Sequence, residues 1–97
     1  MAAFDWNEEK NEWLKKNRGI SFQEVEFFIH RGGLLDTLPH PNQTKYPNQG
    51  LMLVDIREYV YVVPFVESDD GLFLKTIIPS RKATKIFLKG RMQHGKT

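Results

Sequence analysis

Leu51-Met52-Leu53-Val54-Asp55-Ile56, Arg57-Glu58, Tyr59-Val60-Tyr61-Val62-Val63-Pro64-Phe65-Val66, Glu67-Ser68-Asp69-Asp70-Gly71 and Leu72-Phe73-Leu74-Lys75-Thr76-Ile77-Ile78 follow one another without interruption. The three apolar runs, rich in β-branched and aromatic residues and split by short polar links, read as strands Leu51–Ile56, Tyr59–Val66 and Leu72–Ile78. Links this short join antiparallel neighbours, so the stretch predicts a meander. Pro64 has no N–H to give to a ladder, which predicts a bulge or an edge at that position. Upstream, Leu34 to Leu38 supplies a fourth strand. The segment from Pro39 to Asn48 carries three prolines and reads as a loop.

Helical signals flank this sheet. Asn7 is placed to cap a helix with Glu8 and Glu9 in its first turn, where acids suit the helix dipole, with Asp5 and Glu8 a competing capping pair, and the helix is expected to run to about Asn17. Trp6, Lys10, Trp13, Leu14 and Asn17 form its narrow inward stripe, and Gly19 ends it. Ser21-Phe22-Gln23-Glu24 is a capping box, with Ile20 positioned to staple onto Val25. Phe22, Val25, Phe28 and Ile29 make the apolar face of this second helix, which Gly32-Gly33 closes. After the last strand, Ser80 caps a short helix from Arg81 to about Leu88 that Gly90 stops, and Arg91–Thr97 reads as a disordered tail. The expected fold is a single α+β domain over residues 1–97. Two N-terminal helices pack on one face of a four-stranded antiparallel sheet, and a short C-terminal helix completes it.

Composition narrows the function. With 40% apolar and 27% charged residues the chain is ordinary for a globular domain, and with no cysteine it offers neither disulfides nor a thiol nucleophile, which suits a reducing cytoplasm. No apolar run approaches the ~20 residues of a membrane span, and the first residues lack a signal-peptide pattern, so a cytoplasmic protein without a membrane partner is expected. Charge is unevenly placed. All twelve acids lie in residues 1–70, whereas residues 71–97 carry Lys75, Arg81, Lys82, Lys85, Lys89, Arg91 and Lys96 with none. Arg81-Lys82 stands where a helix begins, a position that disfavours cations unless an anion is bound.

His30, His40 and His94 are far apart in sequence and lack carboxylate companions at ligand spacing, so no metal is expected and no cofactor is implied. Phosphate-loop and nucleophile-elbow patterns are missing too. Alternation within Leu72–Ile78 puts Phe73, Lys75 and Ile77 on one face. If Tyr59 and Tyr61 share that face, phenols, an ammonium and Arg81 form a surface on which RNA bases stack while cations hold phosphates. RNA cleavage by its own 2′-OH needs groups that stabilise phosphorane charge and move protons. Lys75 and Arg81 suit the first task; His40, Tyr46 or Glu67 suit the second. Each residue also has an ordinary structural role: Lys75 snorkels, the tyrosines pack across strands, and Lys10 lies over an indole.

Phe4-Asp5-Trp6-Asn7-Glu8-Glu9-Lys10-Asn11 with Gly19-Ile20-Ser21-Phe22-Gln23-Glu24, and Thr76-Ile77-Ile78-Pro79-Ser80-Arg81-Lys82-Ala83-Thr84, together resemble the two motifs of BrnT-type toxins over about residues 4–89. The resemblance implies a RelE-like fold and a type II toxin–antitoxin toxin, a metal-independent ribonuclease that arrests translation. Its partners would be RNA, a ribbon-helix-helix antitoxin and, as the toxin–antitoxin complex only, operator DNA. Lys10, Ser80 and Arg81 stand at matching motif positions, and Lys82 follows within the second motif. Asn17-Arg18 stands where the family pattern has Lys-His. The alternative is a non-catalytic nucleic-acid-binding or autoregulatory protein of the same fold.

Overall fold

Phe4-Asp5-Trp6 is too short to announce itself, yet it forms the first strand, β1 (Phe4–Trp6). The computed structural model of the chain describes residues 3–89, with Lys89 described through its backbone alone. Helix α1 (Glu8–Arg18) begins as its caps dictate: the Asn7 side chain accepts the Lys10 N–H at 2.9 Å, and Gly19 closes it in the left-handed region at φ 65°. Helix α2 (Phe22–Phe28) has the full reciprocal capping box between Ser21 and Glu24, and Ile20 and Val25 both enter the core beneath it. A wide final turn, Ile29–Gly33, is broken by Gly32 at φ 89°. Strands β2 (Leu34–Pro39), β3 (Gln49–Ile56), β4 (Tyr59–Ser68), β5 (Gly71–Leu74) and β6 (Ile78–Pro79) follow. Helix α3 (Arg81–Thr84) continues as a wider π-type turn through Lys89. Among the described residues no helix is long and apolar enough to cross a membrane.

The fold is α+β, but the sheet is not the four antiparallel strands expected. It is a mixed, six-stranded sheet in the order β1-β5-β4-β3-β2, with β6 beside β4. The added strand β1 precedes both helices and runs parallel to β5, pairing Phe4 with Leu72 and Trp6 with Leu74. Gly71 makes this possible, since a Cβ there would collide with the Ala3 carbonyl oxygen, and its φ of 135° is one that side chains disfavour. The β3–β4 hairpin turns on Arg57 and Glu58, both at positive φ (54° and 67°), the geometry a two-residue hairpin demands.

Residues 72–78 do not form one strand either. Leu74 pairs with Phe65 and Ile78 with Val62, so three residues, Lys75 to Ile77, stand opposite two, Val63 and Pro64. The extra residue sits where Pro64 cannot donate, and Lys75 N–H bonds the Pro64 carbonyl instead at 2.8 Å. A one-residue insertion reverses the alternation. Ile77 is therefore fully buried while Phe73 is 40% exposed, and the two do not share a face.

The helices do not all lie on one side. Leu14, Ile20, Phe22 and Val25 pack with Met52, Val54, Ile56, Val63, Phe65, Leu74 and Ile77 on one face of the sheet. Leu53 and Val60, which point the other way by strand alternation, pack with Leu88, Ala83 and Phe87 of the C-terminal helical segment. The sheet is the middle layer. Gly90 and the tail Arg91–Thr97 lie outside the described residues.

Candidate nucleic-acid interface

Strand β6 places the basic C-terminal segment. Its register sets Pro79 opposite Tyr61 and Ile78 opposite Val62, after which Ser80 N–H bonds the Val60 carbonyl at 3.0 Å. The Ser80 side chain accepts the Ala83 N–H at 3.1 Å, so Ser80 caps α3 as its sequence predicts. Thr84 ties the helix down: its hydroxyl donates to the Ser80 carbonyl at 2.7 Å and accepts the Val60 N–H at 2.9 Å. Arg81 and Lys82 follow this anchor, both exposed. Neither is in an ion pair among the described residues; the Lys and Arg side chains that do pair are Lys15, with Glu12, and Arg57, with Glu24.

Tyr59 and Tyr61 stand on the α1–α2 face, their rings 5.6 Å apart, opposite Ile56 and Val54 of β3. They are half-buried, and Tyr61 packs against the main core. On the outer side of β6 the Arg18 guanidinium donates to the Ile77 carbonyl at 2.7 Å. The same group lies 5.2 Å from the ring centre of Trp13, and the Lys10 ammonium lies 4.6 Å from it. Trp13 is 44% exposed rather than part of an inward stripe; Asn11 and Leu14 take the buried positions of α1. Lys10, Trp13, Arg18, Tyr61, Ser80, Arg81 and Lys82 are thus gathered around β6 by its direct bonds and neighbours. Arg18 and Trp13 were not candidates from sequence. The signal available was the local basic-residue pattern, which does not say which cation reaches the sheet.

No family model, curated protein or solved structure matches this chain.

The geometry of the site divides the sequence-derived candidates. His40 and Tyr46 do meet, with rings 4.5 Å apart; His40 Nδ1 accepts the Asn42 N–H at 2.9 Å, and Lys45 lies 5.4 Å from the Tyr46 ring. They belong to the loop at the other end of the sheet, where His40 N–H bonds Gln49, itself opposite Val66. From Val60 to Val66 is six residues of strand, about 20 Å at ~3.3 Å per residue. Glu67 is at that end as well, its N–H on the Asn48 carbonyl at 2.7 Å. Lys75, exposed at the bulge beside Pro64, lies between the two groups. Among the described residues no three His, Asp or Glu side chains gather as metal ligands.

Proposed function

We propose that the chain is the toxin of a type II toxin–antitoxin pair, a metal-independent ribonuclease that holds single-stranded RNA along β6 and the start of α3. The observation that carries the reading is the group around β6 of cations without an ion pair among the described residues, with the exposed Trp13 and the half-buried Tyr61 beside them. Lys10 and Arg18 flank Trp13 on one side, and Arg81 and Lys82 stand just beyond Ser80 on the other. Cations that no acid neutralises, beside rings on which bases can stack, are what a single-stranded polynucleotide needs. Further support is the resemblance of residues 4–11, 19–24 and 76–84 to BrnT-type toxins. Arg81 is assigned to a non-bridging phosphate oxygen, with Lys75 a second source of charge at the bulge and Lys10 a backbone contact. Tyr61, opposite Pro79, is the phenol set beside the site by register. A ribbon-helix-helix antitoxin would neutralise the toxin in the cytoplasm, with operator DNA bound by the complex.

One observation favours the non-catalytic alternative. His40 and Tyr46, the pair suited to proton transfer, lie about 20 Å of strand away from Arg81, too far to serve the same phosphodiester. Induction of wild type and Arg81→Ala in a bacterial host separates the readings. The toxin reading expects growth arrest and fragmented RNA in the wild type, and neither in the folded variant. Well-expressed wild type that leaves growth and RNA intact, yet binds RNA less tightly as salt rises, would replace it with the binding module.

A further inference from the structure

Arg18 is built into its position from three sides. It sits in the last turn of α1, a favourable place for a cation. One guanidinium nitrogen is fixed on the carbonyl of Ile77, a residue with no exposed surface, and the planar head lies over the Trp13 ring. Trp13 is itself steadied at its carbonyl, which accepts the Asn17 side-chain amide at 2.9 Å. A guanidinium has five N–H donors, and the Ile77 bond uses one. No acid takes the others among the described residues, although α1 carries Glu8, Glu9 and Glu12. The group is pre-positioned and unspent, which suits bidentate recognition of a phosphate.

The chain leads from this point to Arg81 in four residues, at most about 14 Å even if fully extended. Lys10 is held by the same indole, so the ring distances put it no more than about 10 Å from the Arg18 guanidinium carbon. We infer that Arg18, held between Trp13 and the Ile77 carbonyl, is a phosphate-binding residue, and that one RNA strand passes from it across β6 to Arg81. This rests on the RNA reading above and gives that site a second wall, made by the end of α1. The aromatic groups along this path, Trp13 against the guanidinium and Tyr61 opposite Pro79, suit unpaired bases, so the ligand is single-stranded.

The test uses the full chain and a fluorescein-labelled single-stranded RNA of mixed sequence, titrated at several salt concentrations. Wild type should bind, and Arg18→Gln and Lys10→Gln should each lower the slope of log affinity against log salt by about one, while Lys45→Gln at the far loop leaves it unchanged. Lys10 makes no side-chain hydrogen bond among the described residues, so its variant stays informative if Arg18→Gln unfolds. Tryptophan emission gives a readout that needs no change at Arg18: RNA should alter it in wild type and not in Trp13→Phe, because the remaining Trp6 is partly buried and stacked on the core residue Phe22. RNA affinity that depends on Arg81 but not on Arg18 or Lys10, with no emission change, overturns the inference and leaves the RNA reading standing. Absence of RNA binding at low salt overturns both, and equal affinity for a fully paired hairpin overturns the single-strand assignment.

Discussion

Asn11 is fully buried, and both ends of its amide are in use. Its Oδ1 accepts the Phe22 N–H at 2.8 Å, and its Nδ2 donates to Gln23 Oε1 at 2.8 Å. The bond to Phe22 supplies a partner for one of the orphan N–H groups at the start of α2, so a side chain of one helix completes the end of the next. Asn11→Ala leaves that N–H in the core with no partner, and a buried unsatisfied donor costs about 1–3 kcal/mol. For a domain of this size, melting should fall by roughly 4–8 °C for each kcal/mol lost, and a thermal melt by circular dichroism measures it. An unchanged melting temperature would mean that water or a shifted Gln23 takes the bond. Caps such as Asn7, Ser21 and Ser80 could be read from sequence because their partners lie three residues away. Asn11 could not, because its partners come from the next helix and it falls outside the inward stripe that helical spacing assigns to Lys10, Trp13, Leu14 and Asn17.

At the scale of elements, the same contrast separates what short-range pattern can carry from what pairing decides. The strands β3 and β4 and both N-terminal helices follow local signals, and Pro64 announced the bulge beside it. The consequence of that bulge, the change of face between Phe73 and Ile77, depends on which strand Pro64 faces, and the parallel pairing of β1 depends on a strand some 70 residues away. The C-terminal helical segment is held by a similar long-range bond. Val60 is fully buried and its N–H is satisfied by the Thr84 hydroxyl, so docking of α3 rests on a side chain 24 residues on. Thr84→Val keeps the shape and removes the acceptor, with an expected loss of about 1–3 kcal/mol. Ser80→Ala, which removes only the helix cap, should cost about 1 kcal/mol. Hydrogen exchange at the Val60 amide tells local from global loss. Exchange that accelerates in Thr84→Val but not in Ser80→Ala, after allowance for overall stability, identifies the hydroxyl as the anchor; equal exchange in both would refute it.

Across the whole molecule, β4 explains the layering. Its run from Val60 to Val66 is apolar at every position, which is the pattern of a strand covered on both faces rather than one that alternates between core and water. That signal was present, and it is why the C-terminal helix lies opposite α1 and α2. The candidate site was less legible: its residue types could be listed, but their grouping could not. Along β4 the two ends differ in charge: Arg81 and Lys82 beyond Ser80, with Arg57, outnumber Asp55 and Glu58 of the β3–β4 hairpin at one end, while Glu67, Asp69 and Asp70 crowd the β4–β5 turn at the other. A polyanion is therefore drawn to the β6 end and repelled from the turn beside the His40–Tyr46 loop. His40→Ala and Tyr46→Phe should leave RNA affinity within about twofold of wild type, the scatter expected of surface substitutions remote from a contact. Arg81→Ala should weaken it by much more, since a charge-assisted contact contributes about 1.5–3 kcal/mol, or roughly 10- to 150-fold. Titrating all three variants against one labelled RNA at one salt concentration decides the matter. If either loop variant loses affinity as Arg81→Ala does, the RNA runs the length of β4, and the proton-transfer pair comes back within reach of the strand.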